Sequence, residues 1–194
     1  MLTPLDRLPG TPLDGPGPLG REFRDLGCET FRDAARWVQR LPYGRNADRT
    51  RPELVLQERQ GTCSTKHALL ALLAEEQGLD VEMRLVFIRL DRGTSPAVAG
   101  VLERHGVDFL PEAHCVLRTA HGTVDLTHPD GSGEPPEIFE EAAIDPEELG
   151  EPKVLRHRSR LAKLLTDDRE LGKRFDLDQL WDVREECIAA LKSN

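Results

Sequence analysis

Three residues in the middle of the chain have the types that a thiol enzyme needs: Cys63, His114 and Asp125. A thiol is a useful nucleophile only as its thiolate, so its ordinary pKa of about 8.5 must be lowered by a helix N-terminus or a neighbouring imidazolium. Cys63 follows Gly61 at the start of a segment that predicts a helix, which meets the first condition. His114 would act as the base and Asp125 would orient its imidazole. The sequence therefore predicts a Cys-His-Asp catalytic triad.

One helix and a small antiparallel sheet are expected to position these residues. The segment from Gly61 to Gly78 has a small polar start, an Ala and Leu interior and a terminal glycine, which predicts a mostly buried helix that begins near Cys63. Alternating apolar residues predict β-strands at 81–89, 114–119 and 123–127. The fold class is therefore predicted as α+β.

The last two strands are expected to form a hairpin around Ala120, His121 and Gly122. A turn centred on His121 would place His114 opposite position 128 and Asp125 opposite position 117. The two residues would then be diagonal neighbours, about three positions apart along the ladder. This spacing permits a His114–Asp125 contact but does not require one.

The rest of the chain is expected to support this core. Residues 1–21 are rich in Pro and Gly, which predicts a flexible arm without regular elements, and residues 22–194 are predicted to form a single domain. Thr30 and Asp33 predict a capping box at the start of a helix. The insertion at 91–111 is long enough for a lid or a pocket wall. Beyond about residue 137 the chain is expected to be helical, after a loop at 129–136.

The order and spacing of these residues resemble the transglutaminase-like superfamily, which has a papain-type cysteine-enzyme fold. The resemblance covers roughly residues 31–129, including Leu41-Pro-Tyr-Gly44, the Gly-x-Cys that opens the helix and Val124-Asp-Leu-Thr127. It implies a bacterial-type member in which the Cys-bearing helix packs on an antiparallel sheet. It also implies a Cys63 nucleophile, a His114 general base and acid, an Asp125 that fixes the imidazole tautomer, and a thioester intermediate. The expected activity is hydrolysis or acyl transfer at an amide or peptide bond.

Supporting residues follow from sequence position. The backbone N-H of Cys63 and a side-chain amide of Gln60 or Gln57 are oxyanion-hole candidates. His67, one turn after Cys63, is expected to be a buried histidine behind the nucleophile, and Lys66 a solvated helix residue. Many relatives carry an aromatic residue where this chain has Ser64 and Val116. An alternative function is therefore a catalytically silent module of the same fold that binds a peptide or protein partner.

A metal site is a second alternative, because Cys63, His67, His114 and Cys115 have the residue types of a zinc site. Adjacent strand residues point to opposite faces, so His114 and Cys115 are not expected to share one ion, and Cys115 should face away from Cys63. We predict no metal and no cofactor. The other cysteines, Cys28 and Cys187, lie on apolar helix faces and are expected to be inert.

Charge and hydropathy limit the partners. The net charge of -9 argues against nucleic acid, which needs clustered Lys and Arg. No apolar run reaches membrane-spanning length, and the N-terminal residues lack the pattern of a secretory signal, so a cytoplasmic protein without a membrane partner is expected. The expected partner is a peptide, protein or small amide substrate. The sequence leaves the oligomeric state open.

Overall fold

The structure of the chain, a computed structural model, describes residues 3–129 and 136–191. The helices are α1 (Pro18–Asp25), α2 (Phe31–Gln39), α3 (Leu54–Glu58), α4 (Cys63–Glu76), α5 (Ala99–His105), α6 (Glu151–Asp167), α7 (Arg169–Arg174) and α8 (Leu177–Leu191). The strands are β1 (Glu82–Leu90), β2 (Leu110–Thr119), β3 (Gly122–Val124) and β4 (Ile138–Ala143). They form one antiparallel sheet in the order β3, β2, β1, β4, and about half of the residues are helical. The fold class is α+β, as predicted.

The chain is divided into two compact units. The first comprises Met1–Leu85, His114–Pro135 and Glu141–Leu149, and the second comprises Val86–Ala113, Pro136–Glu140 and Gly150–Asn194. Strands β1, β2 and β4 contribute residues to both units. No shift in composition marks this division, and the sequence predicts a single domain over 22–194. All the residues of the predicted triad belong to the first unit.

Helix α4 is the central helix of the first unit. It begins at Cys63, as predicted, and the chain leaves it through Gly78 at a φ of 64°, a left-handed conformation that favours glycine. Its Leu69, Leu70 and Leu73 are fully buried, and it packs against α1, α2 and α3. Because nearly every face of α4 is covered, its position is set by packing on all sides.

Helix α2 starts with the predicted capping box. The backbone N-H of Asp33 donates to the Thr30 hydroxyl at 3.1 Å, and the backbone N-H of Thr30 donates to the Asp33 carboxylate at 3.1 Å. This reciprocal pairing satisfies donors that a helix start leaves unpaired.

The prediction of an N-terminal segment without regular elements is wrong. Pro4–Arg7 forms a 3-10 helix, Pro18 begins α1, and Leu8 and Leu13 are only 1% exposed. Proline at a first helical position has the φ that a helix needs and no N-H to leave unpaired. The regular spacing of leucines between the prolines supplies apolar anchors, which outweigh the Pro and Gly content.

The prediction of helix from about residue 137 is also wrong for 138–143, which form strand β4. Helical structure begins instead with the 3-10 helix Pro146–Leu149 and continues in α6. The glutamates of this segment favour a helix by propensity, but Glu141 pairs with Arg84 of β1 at 2.9 Å and with Arg118 of β2. Cross-strand pairing thus overrides the local preference. Of the predicted loop at 129–136, residues 130–135 lie outside the described residues.

The second unit has its own apolar core, and the insertion at 91–111 is part of it. The buried residues of this core are Leu90, Val98, Val101, Leu102, Val107, Leu110, Leu161, Leu171, Leu180, Val183 and Cys187. Helix α8 packs against α5 and α6 and has a capping box at its start, where Asp176 and Gln179 exchange two hydrogen bonds of 2.9 Å. The apolar side of the insertion is therefore used in packing within this unit.

Candidate active site

Cys63 occupies the first position of α4. The backbone N-H of Thr62 donates to the Thr65 hydroxyl at 3.0 Å, and that hydroxyl donates to Asn46 at 2.7 Å, so the entry into the helix is fixed by side chains. The positive end of a helix dipole favours a negative charge at this position. Cys63 is buried apart from 7% of its surface. The thiol therefore lies where a thiolate is favoured.

His114 and Asp125 are in direct contact: Nε2 of His114 lies 2.8 Å from Oδ2 of Asp125. The predicted register was wrong by one residue, because Leu117 pairs with Val124 and the turn contains two residues, not three. If the same register is continued beyond Val124, Asp125 lies two positions away from His114 along the ladder. Residues two apart share a face of a sheet, which explains the close contact.

Cys63 is the second group that acts on His114, because its thiol is among the causes that shift the pKa of the histidine. Since Nε2 of His114 contacts Asp125, we assign Nδ1 as the nitrogen that faces the thiol. Burial by itself lowers the pKa of His114, but the negative charges of Asp125 and Cys63 and the hydrogen bonds to both outweigh it and raise the pKa well above 6.5. The arrangement therefore favours an imidazolium between two anions.

Thr127 holds the carboxylate of Asp125 in place, a role that the sequence did not predict. Its hydroxyl donates to Oδ1 at 2.5 Å and its backbone N-H donates to the same atom at 3.0 Å. Burial raises the pKa of Asp125, but the charge and hydrogen bond of His114 and the Thr127 hydroxyl hold it well below its usual range. An Asp-x-Thr sequence is a known signal for such a local turn.

His67 is a buried, neutral histidine one turn after Cys63, and its burial agrees with the prediction. The backbone N-H of Leu126 donates to its Nε2 at 2.8 Å, so that atom must be an acceptor and Nδ1 carries the proton. Nδ1 lies 2.7 Å from the backbone oxygen of Cys63 and donates to it. Burial lowers the pKa of His67 to about 4, in spite of the nearby charge of Asp125. The ring thus joins the first turn of α4 to the segment after β3.

Lys66 is fully buried, and the prediction of a solvated residue is wrong. Its Nζ donates to the backbone oxygens of Leu41 at 2.6 Å and Thr127 at 2.7 Å. Burial lowers its pKa to about 8, although the charges of Asp125 and Cys63 raise it. The first turns of α4 are covered on all sides, so a residue that the pattern assigns to solvent has no solvent to reach.

The side-chain amide of Gln60 already has a partner, because its Nε2 donates to the backbone oxygen of Arg45 at 2.9 Å. Gln57 is exposed on α3. Among the described residues, no contact joins the side chain of either glutamine to Cys63. The backbone N-H of Cys63, at the start of α4, stays a candidate for the oxyanion hole.

Ser64 contacts both neighbouring thiols. Its Oγ lies 3.8 Å from Sγ of Cys63 and 3.6 Å from Sγ of Cys115. Cys115 therefore approaches the start of α4 more closely than strand alternation alone predicts. In the described part of the chain, no group of three or more His, Cys, Asp or Glu side chains is arranged to hold a metal ion.

An aromatic pair adjoins these residues. The rings of Tyr43 and His128 are stacked, with centroids 5.4 Å apart and an angle of 23° between the planes. Tyr43 forms a parallel bridge with Gly61, two residues before Cys63. Burial lowers the pKa of His128, although the charge of Asp125 opposes the shift. The Leu41-Pro-Tyr-Gly44 segment thus lies beside the turn into α4.

No family model, curated protein or solved structure gives a significant match to this chain. Among the helices of the described residues, none combines the length and the apolar character needed to span a bilayer.

Proposed function

We propose that this chain is a thiol-dependent hydrolase or acyl transferase that acts on an amide or peptide-type bond. The observation that carries the proposal is the 2.8 Å contact between His114 and Asp125, together with a thiol at the start of α4 that acts on the same histidine. These are a nucleophile, a base and an orienting carboxylate in the order that covalent catalysis needs. The raised pKa of His114 supports an ion pair of thiolate and imidazolium in the resting site.

In the first half of the reaction, the Cys63 thiolate attacks the carbonyl carbon of the substrate. The negative charge passes to the carbonyl oxygen, which the backbone N-H of Cys63 at the helix start would stabilise. His114 gives its proton to the leaving nitrogen as the carbon-nitrogen bond breaks. An amine is released and a thioester remains on Cys63.

In the second half, the acceptor is water or an amine. Neutral His114 takes a proton from the acceptor as it attacks the thioester carbon, and the sulfur leaves as a thiolate. This restores the ion pair and completes a turnover without an external redox partner. Asp125 keeps the Nε2-H of His114 directed to itself, so that Nδ1 faces the sulfur in both halves.

The arrangement of elements also supports a papain-type, transglutaminase-like core. The nucleophile opens a buried helix, the histidine lies on strand β2 and the aspartate follows β3. This is the order that the resemblance in the sequence implies. With no matching relative, the proposal depends on the chemistry of the site, and fold alone would not define an activity.

Site-resolved alkylation tests the proposal without a known substrate. At pH 6 an unperturbed thiol is less than about 1% ionised, so only an activated cysteine should react quickly with iodoacetamide. We expect wild-type Cys63 to be labelled at pH 6 and His114→Ala to lose this labelling, with peptide mass spectrometry as the readout. Burial raises the pKa of Cys28, and burial raises that of Cys187 to about 11, so these residues serve as internal controls.

Turnover would be measured with a panel of fluorogenic peptide amides, with and without hydroxylamine as a competing acceptor. A hydroxamate product would identify the acyl-enzyme, and Cys63→Ala should abolish it. If wild-type Cys63 reacts no faster at pH 6 than in His114→Ala, the catalytic proposal is wrong. A silent binding module would then be the better account of the fold.

A further inference from the structure

The ammonium group of Lys66 is buried inside the first unit, where it joins two distant parts of the chain. Nζ donates to the backbone oxygen of Leu41, just before the Pro-Tyr-Gly segment, at 2.6 Å, and to that of Thr127 at 2.7 Å. The side chain has no measurable exposure to solvent. A buried cation costs several kcal/mol of desolvation, so its retention here calls for an explanation.

Thr127 connects this cation to the proposed triad. The hydroxyl and the backbone N-H of Thr127 both donate to Oδ1 of Asp125, and the hydroxyl also lies 3.5 Å from Nε2 of His114. Lys66 lies three residues after Cys63 on α4. The helix that carries the nucleophile is therefore tied through Lys66 to the residue that orients the carboxylate.

We propose that Lys66 is a positioning residue, whose buried ammonium fixes Thr127 and thereby aligns Asp125 and His114 with the Cys63 thiol. The proposal rests on the proposed function, since it assigns Lys66 a role in the same site. A hydrophobic side chain of similar length would fill the space but would leave the oxygens of Leu41 and Thr127 unpaired. The positive charge additionally favours a thiolate at Cys63.

The charge of Lys66 interacts with several titratable groups. Asp125 and Cys63 raise its pKa against the effect of burial, and Lys66 in turn lowers the pKa of both His67 and His128. With a pKa of about 8, Lys66 is charged at pH 6 and neutral at pH 9.5. Its electrostatic effect on Cys63 should therefore be present at the lower pH and absent at the higher one.

The test compares Lys66→Met and Lys66→Arg with wild type by the alkylation rate of Cys63 at pH 6 and pH 9.5. We expect Lys66→Met to lower the alkylation rate of Cys63 about tenfold at pH 6, which corresponds to a rise of one unit in the pKa of the thiol. The rate at pH 9.5 should stay nearly unchanged. Lys66→Arg keeps a cation and should retain more of the rate at pH 6 than Lys66→Met.

Arg32→Met is the matched control. Arg32 also donates to backbone oxygens, those of Leu8 at 2.7 Å and Asp6 at 3.3 Å, but it contacts no residue of the proposed triad. We expect this variant to lose thermal stability while the ratio of the two alkylation rates stays at the wild-type value. A merely structural role for Lys66 would give the same result for both methionine variants.

If Lys66→Met does not fold, the proposal can be tested on the wild-type protein by nuclear magnetic resonance, with isotope labels at lysine and histidine. In a pH titration, the His114 ring resonances should shift with the same midpoint as those of the Lys66 side chain. If the His114 resonances do not shift at that pH, the positioning role is wrong. If wild-type Cys63 reacts at pH 6 and Lys66→Met matches it, the inference about Lys66 alone fails. If wild-type Cys63 is inert at pH 6, the proposed function fails and the role of Lys66 with it.

Discussion

His114 and Asp125 are not cross-strand partners, yet Nε2 of one lies 2.8 Å from Oδ2 of the other. Strand β3 ends at Val124, so Asp125 has left the ladder and its carboxylate is held by Thr127. The contact thus depends on a local turn as well as on the hairpin. Each part of this arrangement can be changed separately.

Asp125→Asn should weaken the thiolate at Cys63 by removing the charge that raises the pKa of His114. With a lower pKa, the imidazolium loses its proton more readily and stabilises the thiolate less. We expect the alkylation rate of Cys63 at pH 6 to fall about tenfold or more, and the rate at pH 9.5, where solvent hydroxide ionises the thiol, to change little. Asp33→Asn is the control, because Asp33 also accepts from a threonine hydroxyl but belongs to α2. Equal effects of both variants would contradict the prediction.

Thr127→Val should lower the reactivity of Cys63 less than Asp125→Asn does. Valine has nearly the same shape as threonine, so the change removes the hydroxyl that donates to Asp125 and leaves the backbone donor in place. Because the charge of Asp125 and the backbone donor both remain, we expect the rate at pH 6 to fall by less than about tenfold. Thr127→Ser keeps the hydroxyl and should restore the rate. A serine variant as slow as the valine variant would show that the methyl group, not the hydroxyl, matters.

His67 should make the protein less stable in acid. Its pKa is about 4 in the folded chain, against 6.5 for an ordinary histidine, so below pH 6.5 the unfolded chain binds the proton more readily. Stability is therefore lost as pH falls from 6.5 towards 4, with a slope from this residue of up to about 1.4 kcal/mol per pH unit. When the unfolding free energy is measured with urea at several pH values in this range, it should depend less steeply on pH in His67→Gln than in wild type. His121→Gln, at an exposed turn, should keep the wild-type slope.

Glu112 and Arg184 form a buried ion pair in the second unit that a double-mutant cycle can measure. Two hydrogen bonds of 2.9 and 2.5 Å join them. Burial raises the pKa of Glu112, but Arg184 and His157 lower it to about 2. We expect Glu112→Gln and Arg184→Met each to cost about 3–5 kcal/mol in unfolding free energy, and the double variant to cost less than their sum. Simple additivity would contradict this. The exposed pair of Lys173 and Glu170 should show no measurable coupling.

Residue types and local signals predict much of the helical framework. The capping box at Thr30 and the start of α4 at Cys63 are both present, because each depends on interactions within a few residues of the chain. The candidate triad residues could also be named from the sequence, since their order along a helix and a hairpin is a local property.

Features that depend on packing could not be predicted in this way. Lys66 has the appearance of a surface residue, and only the full burial of α4 assigns it to the interior. Strand β4 has a helical composition that cross-strand ion pairs override. The hairpin register differs from the expected one by a single turn residue, and this shift determines whether Asp125 shares a face with His114.

Helix α4 carries the thiol, the buried ammonium and the neutral imidazole within its first two turns. Because these three groups share one helix, a small change in its tilt would displace them together relative to Asp125. Leu70 and Leu73 lie deeper in the same helix and are fully buried. We expect a truncation of either side chain to shift the Cys63 thiol without touching it, so that residues far from the thiol would influence its reactivity.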